Sequence, residues 1–400
     1  MQDIYKTFEF NKIQEKLLEY SKTELGKVYI NELVMLDDAD DVKNSLSFLS
    51  EVSSLLMRYG PLPISNSANA IKLIEIAKKT ALLTPRDLYL LSDDIETINK
   101  INVYLKKVDS SYPLVLSLSN EFYDLSSLFN KIRAMINSSL TVVDSATPEL
   151  NRIRHELKVK EAKLLSLTSS LAIKYGDCLS DSGDTIRDGH FVLPVKTSYK
   201  NKILGVIYDV SSTGNTTFIE PLEVVQLNNE ITQLKVQENE EVRKILKELT
   251  SLVLLQENEV LTNNKLIAKL DFNIAKALYG KEIDGVIASF SDKQIVDIKK
   301  GRHPLLDAKK VIANDYHLDE DKRIVVISGP NAGGKTVTLK TVGIIVLMNQ
   351  CGLMVPANKA TLGYFKHIYL DIGDNQSLSD NLSTFSAHMS QIAEIANLAK

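Results

Sequence analysis

Gly329-Pro330-Asn331-Ala332-Gly333-Gly334-Lys335-Thr336 fits the phosphate-loop pattern G-x-x-x-x-G-K-[ST] at every fixed position. Its flanks suit the same reading. Arg323 to Ser328 (RIVVIS) reads as a short buried-type strand, and Val337 to Met348 is long and apolar enough for the helix that must follow. A strand that turns through glycines into a helix N-terminus aims several backbone N–H groups at one point. The helix dipole adds partial positive charge there, so the place suits a polyphosphate. Gly329 through Thr336 are thus the candidate ATP-binding residues. Lys335 is expected to reach the β- and γ-phosphates, and the Thr336 hydroxyl to ligate Mg²⁺.

A chain of 400 residues exceeds one ordinary core, so two to four domains are expected. Hydrophobic residues at 44% and charged residues at 24% fit a soluble globular protein. No apolar run approaches a membrane span, and the start MQDIYKTFEF has no signal-peptide core. Cys178 and Cys351 have neither metal-ligand nor disulfide-framework spacing and read as core thiols of a cytoplasmic protein. The formal net charge of −4 rules out a global nucleic-acid field but leaves room for a local basic face. The lack of Trp and the low aromatic content argue against a base-stacking platform.

Along the chain, residues 1–140 read as a helical core without evident chemistry. Thr23-Glu24-Leu25-Gly26 suggests one helix ending and another starting, Gly60-Pro61-Leu62-Pro63 a break, and Thr84-Pro85-Arg86-Asp87 a capped start. Residues 141–280 read as lever or clamp-like long helices. One begins near Asp144–Glu149, carries the stripe Leu150, Ile153, Leu157, Leu164, Leu167 and Leu171, and ends near Tyr175–Asp177. Within this region, residues 181–221 alternate apolar and polar residues between glycines, as a small antiparallel β insert does. Arg187, Lys196, Lys200 and Lys202 of that insert are candidate contacts to a nucleic-acid backbone. Leu222 to about Leu278 contains no Pro or Gly. One continuous helix there would span roughly 80–90 Å and need a partner helix or a lever's role. Residues 281–400 open an α/β domain with a strand candidate at Gln294–Ile298. His303, His317, His367 and His388 lack metal-ligand spacing.

Several stretches are similar to one family. Gly301-Arg302-His303-Pro304, Ile312-Ala313-Asn314, the loop itself, Val355-Pro356-Ala357 and Ser383-Thr384-Phe385 resemble the MutS family of DNA-repair ATPases, which use an ABC-type nucleotide domain. RDGHFVLPVK, YDVSSTGNTTFIEPLEVVQLNNEI and DIGDNQSLSDNLSTFSAHM look like its bacterial MutS-two subfamily. The resemblance implies a mainly α-helical core with long lever helices and a β insert, followed by part of an α/β ABC-type P-loop ATPase domain. It implies a homodimer in which each ATP lies between the loop of one subunit and the signature element of the other. Ser383 would then act in trans beside Lys335 as the catalytic pair. It further implies an ATP-driven clamp on branched or unusual DNA that limits homologous recombination, carries an endonuclease, and acts on stalled ribosomes.

The chain departs from that pattern in three ways. It stops at Lys400, where an acidic Walker B strand is expected; the Smr nuclease domain does not appear; and Val311 or Ile312 stands where relatives place an adenine-stacking aromatic. The expectation is an N-terminal fragment, by itself inactive in hydrolysis, of a protein that is ATPase and endonuclease at full length. The competing reading is a nucleotide-gated dimerisation scaffold for a protein or ribonucleoprotein partner. ATPases of the chromosome-maintenance kind place the phosphate loop near the N-terminus, ahead of the coiled arms, and here it follows them.

Overall fold

Cap residues start the helices. Thr23 Oγ1 accepts from the Gly26 amide at 2.9 Å, Asp38 from the Asp41 amide at 2.8 Å, and Thr147 from the Leu150 amide at 3.1 Å, each satisfying a first-turn donor. Thr84 and Asp87 exchange both bonds of a capping box, with Pro85 in the first turn. A computed structural model describes the chain except residues 1–2, 68, 181–184, 188–189, 308–309, 331–333, 373–388, 390–391, 394 and 398–400.

The element order is α1 (Ile4–Thr7), α2 (Phe10–Tyr20), α3 (Glu24–Asn31), α4 (Ala39–Tyr59), α5 (Ala70–Thr80), α6 (Pro85–Leu105), α7 (Pro113–Ser119), α8 (Ser126–Met135) and α9 (Pro148–Lys174). There follow β1 (Thr185–Arg187), β2 (His190–Lys196), β3 (Gly205–Val210), β4 (Thr216–Pro221), α10 (Leu222–Leu255) and α11 (Glu257–Glu282). The chain continues through β5 (Ser289–Ser291), β6 (Val296–Gly301), β7 (Asn314–Leu318), α12 (Lys335–Gln350) and β8 (Lys359–Gly363). The fold is mainly α-helical and multidomain, with long helices and a small antiparallel sheet. Two compact units emerge: Met1–Ile71 with Asp93–Leu125 and Asn258–Lys400, and Lys72–Ser92 with Ser126–Glu257.

In the second unit, α9 and α10 lie side by side and antiparallel. Ile153 and Leu157 of α9 meet Leu227, Ile231 and Leu234 of α10, all buried. Ion pairs border the seam: Arg154 to Glu238 at 2.7 Å, Lys160 to Glu230 at 2.7 Å, and Lys235 to Glu161 at 3.3 Å. A buried leucine contributes about 1.5–3 kcal/mol and a half-exposed ion pair at most about 1 kcal/mol, so the stripe holds the arm and the charges set its register. The small sheet has strand order β1-β2-β4-β3, antiparallel throughout. Phe191, Leu193, Val195 and Ile219 on one of its faces join Leu171 and Val224, from the end of α9 and the start of α10, in one core.

In the first unit, α11 is buried on most of its circumference, among α2, α3, α4 and the C-terminal sheet. That sheet has order β5-β8-β6-β7 and mixes one parallel pair (β5 with β8) with antiparallel ones.

Two expectations need correction. The helical sequence from Leu222 is interrupted at Gln256, which leaves the helical region at φ −115 and ψ 30. No Pro or Gly causes this. The break falls where a one-faced arm helix gives way to a helix buried on most of its circumference. The second correction concerns Arg323–Ser328, which forms no strand: Ile324, Val325, Val326 and Ile327 are 85%, 55%, 86% and 39% exposed. A strand of this apolar kind needs hydrogen-bonded neighbours and covered faces. Among the described residues, none lies beside it.

Candidate nucleotide site

α12 presents the loop. Its N-cap is Gly334 at φ +82, and Gly329 sits at φ +150. A Cβ at either position would meet open space, so the backbone conformation, and not crowding, requires glycine at both. Helical bonding begins with the Thr338 amide donating to the Gly334 carbonyl at 2.9 Å. The amides before it open towards the loop, as at every helix start. The Lys335 ammonium reaches back across the loop and donates to the Gly329 carbonyl at 2.8 Å. Its positive charge thus lies at the Gly329 carbonyl, adding to that of the helix terminus. A phosphate oxygen offers that ammonium a charge-assisted bond in place of a neutral one, so lysine, glycines and helix start fit a polyphosphate. Thr336 is exposed beside them, and Pro330 lies in an irregular exposed stretch. Asn331, Ala332, Gly333 and Ser383 lie outside the described residues.

What fixes α12 is the far half of the helix. Ile344, Ile345, Leu347 and Met348 are fully buried. A Cβ on Gly343 would lie 2.3 Å from Cζ of Phe8, so the ring stacks directly on bare helix backbone. On the sheet side, a Cβ on Gly301 would meet Ile345 Cδ1 at 3.1 Å and Ile298 Cγ2 at 2.8 Å.

The neighbouring sequence elements take structural parts. Arg302 donates to the Asp284 carbonyl at 2.8 Å and to Asn358 Oδ1 at 3.1 Å, while its amide donates to the Pro356 carbonyl at 2.8 Å. It ties the end of α11 to the segment before β8. Burial, aided by Lys340, holds the His303 imidazole below its ordinary pKa, which keeps it neutral at neutral pH. Val311 is half-buried and Ile312 is 80% exposed. A cleft of about 750 Å³ runs beside the first turns of α12, lined by Val337, Lys340 and His303. It also carries Glu9, Glu15, Glu19, Glu282 and Asp307. Lys12 and Lys16 line it too and pair with Glu9 and Glu19; with the remaining acids uncompensated, it suits a polyphosphate less well than the lysine and helix start at the loop.

The basic residues of the insert are all exposed. Arg187 lies over the Phe218 ring with its Cζ 4.5 Å from the centroid, and Lys202 over Tyr199 at 4.7 Å. The Lys196 ammonium donates to the Asp177 carbonyl at 3.3 Å. Sequence reading missed the roles of Arg302 and Phe8, since each partner is remote in the chain. One signal was available: an isolated glycine in an apolar helix, such as Gly343, marks a close approach. No group of three or more His, Cys, Asp or Glu able to hold a metal ion occurs among the described residues. Nor, among them, is any helix long and apolar enough to cross a membrane.

Comparison with known proteins agrees with this layout. Residues 325–400 match MutS domain V. The chain is 35% identical over 396 residues to the endonuclease MutS2 of Clostridioides difficile (strain 630), covering 98% of this chain and 50% of that protein. It is 35% identical over 406 residues to the one from Shouchella clausii (strain KSM-K16), covering 99% and 51%. For the one from Clostridium botulinum (strain 657 / Type Ba4), identity is 36% over 397 residues, covering 98% and 50%. The chain spans about half the length of the curated relatives it matches. With the phosphate loop on α12, the paired arm helices and this similarity along nearly the whole chain, the protein belongs to the MutS2 family.

Proposed function

We propose that the chain is the ATP-binding, clamp-forming part of a homodimeric protein that grips branched or otherwise unusual DNA. The observation that carries this reading is the Lys335 ammonium poised over a glycine loop at the start of α12, in a chain whose other unit is a two-helix arm tipped by a sheet with exposed cations. In this reading Gly329 to Thr336 bind ATP, Lys335 holds the β- and γ-phosphates, and the Thr336 hydroxyl ligates Mg²⁺. Bound triphosphate supplies a phosphoryl group whose developing charge a second subunit can stabilise, and Ser383 is the residue that would reach it in trans. Functionally the chain divides into a helical core (1–140), a lever and clamp (141–280) and the start of the ATPase domain (281–400). Hydrolysis and endonuclease action, with their consequences for recombination and stalled ribosomes in the cytoplasm, belong to the whole protein.

Filter binding of branched and linear DNA, each with and without ATP, tests this. Preferential, ATP-dependent retention of the branched form is expected, and identical weak binding in all four cases would contradict it.

A second reading, a nucleotide-gated scaffold for a protein or ribonucleoprotein partner, has its own support. Leu204, Ile207 and Val210, in and before edge strand β3, are 77%, 55% and 48% exposed, which suits an apolar protein contact. Salt separates the two, because phosphate-dominated binding weakens steeply with ionic strength.

A further inference from the structure

The face of the small sheet turned away from its core carries an arrangement of rings and cations that charge alone does not require. Phe191, Leu193, Val195 and Ile219 point into the core, so the alternate residues of β2 and β4 point the other way; there Val192 and Pro194 are buried, and His190 and Phe218 are partly exposed. Phe218 lies opposite Pro194 and next to Asp209, and Arg187 lies opposite His190. On this face the Arg187 guanidinium rests over the Phe218 ring at 4.5 Å. The His190 ring lies 5.1 Å from that of Tyr208, tilted by 33°. Tyr208 gets there because the pairing of β3 with β4 shifts between Ile207 and Asp209, and a bulge re-aims the side chain it carries. His190 is also held from beneath: its Nδ1 bonds Glu220 Oε1 at 3.1 Å, and the Asn228 amide donates to the same oxygen at 2.5 Å. The planar groups are therefore fixed in orientation before any ligand arrives.

We propose that this face stacks the unpaired bases of single-stranded nucleic acid. This deepens the clamp reading and rests on it. A guanidinium laid on a phenyl ring keeps its second flat side for a base, and an imidazole backed by a phenol does the same. The exposed cations Arg187 and, in the connection between β2 and β3, Lys200 and Lys202 supply charge complementary to the phosphates between stacked bases; Asp209 on β3 is an exposed acid opposite Phe218. Duplex DNA, whose bases are already stacked, gains only the charge contribution. The face thereby favours the strand-exchange point of a branch over a linear duplex, which the low aromatic content of the whole chain had argued against.

The test uses the whole chain and a short oligothymidine carrying one fluorescent adenine analogue, whose emission falls on stacking, beside a linear duplex followed by anisotropy. Wild type is expected to quench the analogue. Phe218→Leu, which keeps the apolar bulk, and Arg187→Lys, which keeps the charge, are each expected to lose quenching and about tenfold or more in single-strand affinity while leaving duplex binding unchanged. Lys200→Ala is expected to weaken both ligands alike and to flatten the salt dependence. Circular dichroism verifies that each variant is folded, and Arg187→Lys, at an exposed position, carries the test if Phe218→Leu is not. If single-strand and duplex affinities fall equally in Arg187→Lys, or neither changes, the stacking proposal is overturned and the clamp reading survives. If wild type binds neither ligand, the stacking proposal is overturned, and filter binding of branched DNA still decides the clamp reading.

Discussion

α10 and α11 follow each other with one residue between them, yet they solve opposite problems. On α10 the buried residues Val224, Leu227, Ile231 and Leu234 recur on one stripe, and Glu and Lys cover the rest. That half of α10 pairs with α9, and further along Ile245, Leu246, Leu249 and Val253 are buried where α10 meets α8 and the Leu83 amide. On α11 the buried set includes Asn263, Asn264, Asp271, Asn273 and Lys276 as well as Leu266, Ile267 and Leu270, so polar side chains are carried into the interior and must be matched there. Asp271 is matched best. It is 1% exposed and accepts from Ser21 Oγ at 2.7 Å, the Thr23 amide at 2.8 Å, Thr23 Oγ1 at 2.9 Å and the Lys22 amide at 3.0 Å, pinning the turn between α2 and α3. Asp94, which accepts from Asn264 at 3.1 Å, has its pKa raised to about 7 by burial. The arm is thus held by apolar area and the core helix by specific bonds, and the two should fail differently.

The largest effect is expected at Asp271. Its replacement by Ala orphans several buried donors at once and should cost roughly 3–5 kcal/mol by urea unfolding. A loss below about 1 kcal/mol would mean that α11 is held by packing, like the arm. On α10, Leu227→Ala should cost about 2–3 kcal/mol, whereas Lys235→Ala, which removes the half-exposed pair with Glu161 at the edge of the same seam, should cost no more than about 1 kcal/mol. The reverse order would give the arm to its ion pairs.

Lys276 offers a pH test. It is 2% exposed, donates to Ser45 Oγ at 3.1 Å, and burial lowers its pKa to about 7. The folded state then binds fewer protons than the unfolded state between about pH 7 and the ordinary lysine value. The lysine's favourable share of stability is present above that ordinary value and is lost as pH falls towards about 7. Lys276→Met has no such proton linkage. It should therefore gain on wild type by a few kcal/mol as pH is lowered from 10 to 7, read from paired melting curves. A constant difference across that range would contradict the assignment.

The same contrast explains what the sequence could convey. The α9 stripe, the capped helix starts, the strands of the insert and the glycine loop are local patterns, written in periodicities and turn residues, and they are legible. Ser21 with Asp271, Phe8 on Gly343 and Arg302 with Asn358 join residues far apart in the chain, and no window of sequence contains them. The break at Gln256 was illegible for a related reason: it marks a change of surroundings and no local helix breaker. Arg323–Ser328 shows the converse, a strand-like sequence that needs neighbours to become a strand. At the site, a glycine turn leading into a helix start was readable from the motif. The lysine's partner, the Gly329 carbonyl, came only from geometry.

The central claim is that the loop on α12 holds a triphosphate through Lys335. Calorimetric titration of MgATP into the wild-type chain and into Lys335→Ala tests it most directly, with melting curves to verify that both are folded. We expect binding by wild type and an affinity at least about tenfold weaker in the variant, with unfolding unchanged. Equal affinities in two equally stable proteins would contradict the claim.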